Sequence, residues 1–114
     1  MNASKITVVI NRFGMGDAPE ELSLTLVKNY LSLMAQEEML PSYICLYANG
    51  VKLTLEGSPV IGELKALEDK GTKIMICKTC LNYFNAVDKT LVGTVATMVD
   101  IIGAQTNCDK VINI

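Results

Sequence analysis

The chain contains no histidine. That absence removes the imidazole on which cysteine proteases and acyl-transfer enzymes rely to activate a thiol. It also leaves any zinc site to be assembled from cysteines and carboxylates alone. Charge is scarce as well: 19% of residues are charged, with 10 basic and 12 acidic side chains spread along the chain for a net charge of −2. There is no basic stripe to neutralise phosphates, so nucleic acid is a poor partner. Long apolar runs are missing too. The longest, such as Tyr43 to Ala48, fall far short of a bilayer span. The N-terminus offers only about five apolar residues before Asn11 and Arg12, too few for a secretory core segment. The expectation is a cytoplasmic protein with no membrane contact.

What is present is a core. Half of the 114 residues are apolar, enough for a single domain over residues 1–114 that buries roughly two thirds of its unfolded surface without metals or disulfides. No internal repeat, low-complexity tract or linker divides it.

The pattern along the chain alternates. "ITVVI" (Ile6 to Ile10), β-branched throughout, the unbroken apolar run Tyr43 to Ala48 and "TKIMIC" (Thr72 to Cys77) are short segments suited to strands covered on both faces. Between them lie helical periodicities. One is capped by Asp17, with Glu20 completing a capping box, carries Leu22, Leu26, Tyr30, Leu33 and Met34 on one face, and reaches about Glu38. The other is capped by Ser58, with Pro59 first, Val60, Ile61, Leu64 and Leu67 on its face and Gly71 as its stop. Farther on, Thr79 is the expected cap of a helix of barely two turns from Cys80 that Asn85 ends. Leu91 to Gly93 suggests a very short fourth strand. Thr94 then caps a helix carrying Val95, Met98, Val99 and Ile102 up to Gly103, and "KVINI" closes the chain as a fifth strand. Strand and helix in strict alternation predict an open, mainly parallel five-stranded sheet with helices on both faces, an α/β/α sandwich.

Chemistry in such sheets gathers beyond the carboxyl ends of the strands. Three features fall there: the loop Asn11 to Asp17 with Gly14 and Gly16, the pair Asn49-Gly50, and the CxxC of Cys77 to Cys80. The loop precedes a helix but lacks the full GxGxxG and a Walker lysine. Asp17 and Glu20 would repel an anion there, so it is read as a plain turn and no nucleotide or other cofactor is expected.

The four cysteines, in a chain without an export signal, suit reduced thiols better than a disulfide framework. Cys45 lies in an apolar run and reads as a small buried hydrophobe. Cys108 reads as a loop residue before the last strand, with no assigned role. The CxxC admits several readings. Half a zinc site lacks further ligands, and no metal is expected. A thioredoxin-like pair belongs after an early strand, whereas this one follows the third. A dithiol switch on another scaffold stays open. So does the plain alternative, in which Cys77 is an apolar strand-end residue and Cys80 a small helix-start residue. Helix-start amides, Thr79 and the cation of Lys78 favour ionisation of both thiols. Without histidine, what remains is chemistry that a thiolate does alone, on disulfide or persulfide sulfur.

The stretch "NGVKLTLEGSPVIGELKALEDKGTKIMICKTCLNYFN" resembles the DsrE-like sulfurtransferase family, and within it the branch represented by the C-terminal domain of YedF, which is associated with selenium metabolism. The matching points are Asn49-Gly50-Val51-Lys52-Leu53, Gly57-Ser58-Pro59 and Cys77-Lys78-Thr79-Cys80-Leu81, with the "GMGD" loop and "KVINI" in support. The resemblance implies trimers or hexamers, and a persulfide carried on the strand-end cysteine, here Cys77. Cys80 matches a second cysteine found in some branches, one that could resolve the persulfide or form a disulfide. Lys78 replaces a frequent glycine and Asn85 another. The resemblance further implies a separate sulfur donor, such as a TusA-like protein, and a separate acceptor. The expected function is therefore sulfur relay through Cys77. The rivals are a binding module using the rim of Gly14, Gly16, Asp17, Asn49 and Gly50, and a dithiol redox sensor.

Overall fold

The computed structural model describes residues 5–114. Its elements run β1 (Ile6–Ile10), α1 (Glu20–Gln36), β2 (Tyr43–Leu46), a 3-10 segment (Ala48–Thr54), α2 (Ile61–Asp69), β3 (Lys73–Cys77), α3 (Lys78–Tyr83), β4 (Thr94–Ala96), α4 (Met98–Thr106) and β5 (Lys110–Asn113). The strands form one sheet in the order β4-β3-β2-β1-β5, and every neighbouring pair is parallel. The sheet is thus wholly, rather than mainly, parallel.

This order fixes where the connections lie. From β1 to β4 the chain steps in one direction, so right-handed crossovers place α1 and α2 on one face. From β4 it returns across the whole sheet to β5, and α4 covers the opposite face, packed on β2 and β3. Alternation along the strands then sorts the core. Val8, Ile10, Ile44, Leu46, Ile74 and Ile76, all 2% exposed or less, point towards α1 and α2. Thr7 donates its hydroxyl proton to Ala104 O on α4 at 2.8 Å. Residues in register with Thr7 and Val9, including Cys45, and with Cys45, including Met75, share that second face.

Several local expectations shift. Asp17 does not cap α1: the helix begins at Glu20 after Pro19, with no side-chain cap. The preceding loop is instead drawn onto the helix, where Met15 N–H donates to Ser23 O at 3.0 Å and Ser23 Oγ donates to Gly16 O at 2.9 Å. A Cβ on Gly14 would stand 2.6 Å from that of Ser23. This close approach turns α1 so that Ser23, Val27, Leu31 and Met34 face inward, leaving Leu22, Leu26 and Leu33 on the surface. Ser58 Oγ accepts the N–H of Val60 at 3.1 Å but does not cap α2: Val60 holds the cap position and the helix starts at Ile61, two residues past Pro59. Leu91 to Gly93 is not a strand, because Gly93 takes a φ of +84° and nestles against Ile74 and Ile76. β4 follows at Thr94, the helix cap moves to Thr97, which forms a capping box with Asp100, and Gly103 lies inside α4.

Candidate functional site

β3 delivers Cys77 at its carboxyl end, and α3 starts with the next residue. Thr79 lies inside the first turn of α3 and caps nothing; Cys77 occupies the cap position, without a side-chain cap bond. The end of α3 follows expectation: Asn85 takes a left-handed φ of +55°. Its N–H donates to Asn82 O, and that of Ala86 to Leu81 O at 2.8 Å, which closes the helix in a Schellman arrangement.

The two thiols are neighbours, and they differ in access. Cys77 is 1% exposed, whereas Cys80 is half-buried. Cys80 Sγ accepts the backbone N–H of Ala48 at 3.1 Å, and Cys77 is near enough to act on its ionisation. Burial pushes the Cys80 thiol up; the Ala48 N–H pulls it down, and the neighbouring Cys77 adds a further upward push. The expectation that Cys80 ionises more readily than a free thiol is therefore not met, since desolvation outweighs the single amide. Lys78 and Thr79 are exposed, and neither makes a side-chain hydrogen bond or ion pair among the described residues.

Ala48 carries no signal in the sequence. It opens the 3-10 segment with a left-handed φ of +53°, which costs an L-residue about 1–2 kcal/mol. The segment is pinned beside the end of β1, because Tyr47 N–H donates to Ile10 O at 3.2 Å and Gly50 N–H to Tyr47 O at 2.9 Å. A Cβ on Gly50 would fall 2.1 Å from Ile10 O, so only glycine allows this approach. Farther along, the Lys52 ammonium stands 4.5 Å from the centre of the Phe84 ring. The two residues border a shallow cleft of about 410 Å³, shared with Phe13, Leu55 and Ser58.

The rim is thus assembled in part. Gly50 joins β1 to the 3-10 segment, and that segment reaches Cys80. Gly14 and Gly16 serve the packing of their loop on α1, while Asp17 and Asn49 are exposed. Among the described residues no three cysteine or carboxylate side chains cluster as metal ligands.

The topology gives this corner its meaning. Cys77 is in register with Ala96 on β4. The chain leaves β3 towards the α2 face and leaves β4 towards the α4 face, so the two connections part at Cys77. Such a divergence point is where open parallel sheets bind ligands and perform chemistry. An open, wholly parallel sheet with a thiol pair at that point defines an α/β protein with its candidate site at the carboxyl rim.

The family model described as DsrE/DsrF-like matches residues 5–114; the chain belongs to that family. Solved structures share the fold. YchN from E. coli aligns with a TM-score of 0.74 and 23% identity, covering 98% of this chain and 100% of that one. MTH1491 from Methanobacterium thermoautotrophicum, a protein of unknown function, aligns at 0.68 and 21%, over 98% and 100%. BT1422 from Bacteroides thetaiotaomicron aligns at 0.64 and 18%, over 95% and 94%. Among curated proteins none matches this sequence. Among the described residues no helix is long and apolar enough to cross a membrane.

Proposed function

We propose that this DsrE/DsrF-like chain relays sulfur as a persulfide on its CxxC pair, with Cys77 holding the sulfur at the end of β3 and Cys80 assisting. The observation that carries this reading is the placement of two neighbouring thiols at the point where the β3 and β4 connections diverge. A thiolate needs no imidazole to attack a sulfane sulfur, which suits a chain without histidine. The Asn49–Leu53, Gly57–Pro59 and Cys77–Leu81 segments further support a place in the YedF-like branch, with a cytoplasmic setting and with donor and acceptor as separate proteins. The exposed row of Leu22, Leu26 and Leu33 on α1 supports assembly of several copies, because an apolar helix face is ordinarily covered.

Intact mass after incubation with a persulfide donor tests the proposal. Wild type gains one sulfur atom and surrenders it to an acceptor thiol, as does a Cys45→Ser/Cys108→Ser double variant. Cys77→Ser/Cys80→Ser gains none. Loss of two hydrogens on mild oxidation, without any sulfur uptake, would put a dithiol sensor in place of the relay.

A further inference from the structure

We infer that sulfur is received first by Cys80, held for that purpose by the amide of Ala48, and reaches Cys77 only in a second, internal step. This order rests on the sulfur-relay reading and goes beyond it by separating the thiol that meets the donor from the thiol that stores the sulfur.

Access comes first. A donor persulfide is attacked along its S–S axis, so the attacking sulfur must be open to a group that arrives with a whole donor behind it. Cys77, 1% exposed, is sealed beneath its neighbours; Cys80 is the member of the pair that solvent reaches. The second consideration is the amide. Ala48 N–H is aimed at Cys80 Sγ from 3.1 Å, and its residue is held in the left-handed region. The bonds of Tyr47 and Gly50 fix the turn on either side. A non-glycine residue persists in that conformation only where the surroundings over-determine it, and such residues cluster where geometry serves chemistry. A fixed N–H directed at sulfur favours the anion, both the thiolate that attacks and the thiolate that leaves.

The steps balance without an oxidant. The Cys80 thiolate attacks the outer sulfur of the donor R–S–SH; a Cys80 Sγ–S bond forms, the donor S–S bond breaks, and the donor departs as R–S⁻. Cys77 then attacks the outer sulfur of Cys80–S–SH. A Cys77 Sγ–S bond forms, the Cys80 Sγ–S bond breaks, and the proton leaving Cys77 is taken up by the departing Cys80 thiolate. The result is Cys77–S–SH and Cys80–SH, with no net redox change.

Timed loading with glutathione persulfide, followed by mass spectrometry of the peptides, reads the order. Cys77→Ser is expected to gain one sulfur at the wild-type initial rate and to keep it on Cys80. Cys80→Ser, with only the sealed thiol left, is expected to load at least about tenfold more slowly. Loading of Cys80→Ser at the wild-type rate overturns the order, as does a folded Cys77→Ser that gains nothing. Absence of uptake in wild type instead sinks the relay reading itself. The amide is tested separately by an ester in place of the Tyr47–Ala48 amide, introduced by ligation at Cys45. The pH profile of Cys80 alkylation then moves to higher pH in the folded protein. An unmoved profile removes Ala48 from the site whatever the sulfur assay shows.

Discussion

Two cysteine regions of this molecule invite comparison. Cys45 lies on β2 and its thiol is wholly buried beneath the α4 layer, with Cys108 as its neighbour in charge. Cys108 in turn rests 2.7 Å from Thr7 Oγ1; because the Thr7 proton already goes to Ala104 O, the Cys108 thiol is the donor in that contact. Cys77 ends the neighbouring strand β3 and Cys80 follows in α3, with a backbone N–H directed at the Cys80 sulfur. Burial, reinforced by Cys108, raises the Cys45 thiol from 9.0 to about 11. At Cys80 the Ala48 amide opposes burial. Surroundings, and not thiol chemistry, divide a packing residue from a reactive one.

The largest expected contrast is in alkylation. At fixed pH a rise of two pKa units lowers the thiolate population about a hundredfold, and burial slows Cys45 further. Iodoacetamide should therefore label Cys80 in the folded protein while Cys45 reacts only as the chain opens. Equal labelling rates would erase the distinction. The same shift predicts a pH dependence of stability. The unfolded chain ionises Cys45 first, so this contribution is complete below about pH 9 and is lost as pH climbs towards about 11. Denaturant melts across that window should fall less steeply for Cys45→Ala than for wild type.

A smaller effect separates the regions mechanically. In Gly50→Ala the new Cβ would meet Ile10 O at 2.1 Å and the Ile10 carbonyl carbon at 2.9 Å. Both are backbone atoms that cannot swing away. Overpacking of this kind costs about 1–3 kcal/mol, measurable as a lowered denaturant midpoint. Displacement of the 3-10 segment carries Ala48 from Cys80, so the Cys80 alkylation profile should move to higher pH while Cys45 remains protected. A shift at Cys45 instead would mean that the whole sheet, and not the rim, had yielded.

The same division governs what could be read from the sequence. β1, β2 and β3 were legible because each is a run of residues suited to a strand covered on both faces, while β5, largely exposed at the sheet edge, was read from its place at the end of the alternation. β4 was misplaced by three residues because Leu91-Val92 is as apolar as Val95-Ala96, and only the packing of Gly93 on Ile74 and Ile76 distinguishes them. The inward face of α1 was ambiguous for a similar reason: leucines line two adjacent rows, and the choice is made by Gly14 pressing on Ser23, a contact between residues in different elements. At the site, spacing and strand position brought Cys77 and Cys80 forward. Ala48 was invisible, since alanine favours right-handed helix and no local pattern foretells a left-handed one. The relative exposure of the two thiols was equally hidden, because it depends on how α3 and the 3-10 segment meet.

The smallest expected effect in stability is at Ala48 itself. Its left-handed conformation costs about 1–2 kcal/mol for an L-residue, and glycine removes that cost while losing about 0.5–1 kcal/mol more conformational freedom on folding. Ala48→Gly should therefore raise stability, by less than about 1.5 kcal/mol once the two terms are set against each other. The gain should come with a loss at the rim. Glycine samples both hands of φ, so the N–H spends less time aimed at Cys80, and sulfur loading should slow although the fold is firmer, as where strain serves a site. Denaturant midpoint and loading rate measured on the same preparation make the contrast visible. If Ala48→Gly is more stable and loads as fast as wild type, the strain is a packing accident and the rim differs from Cys45 in access alone. If it loads more slowly while Cys45 stays protected, the left-handed turn is part of how one thiol of this family member is set apart from another.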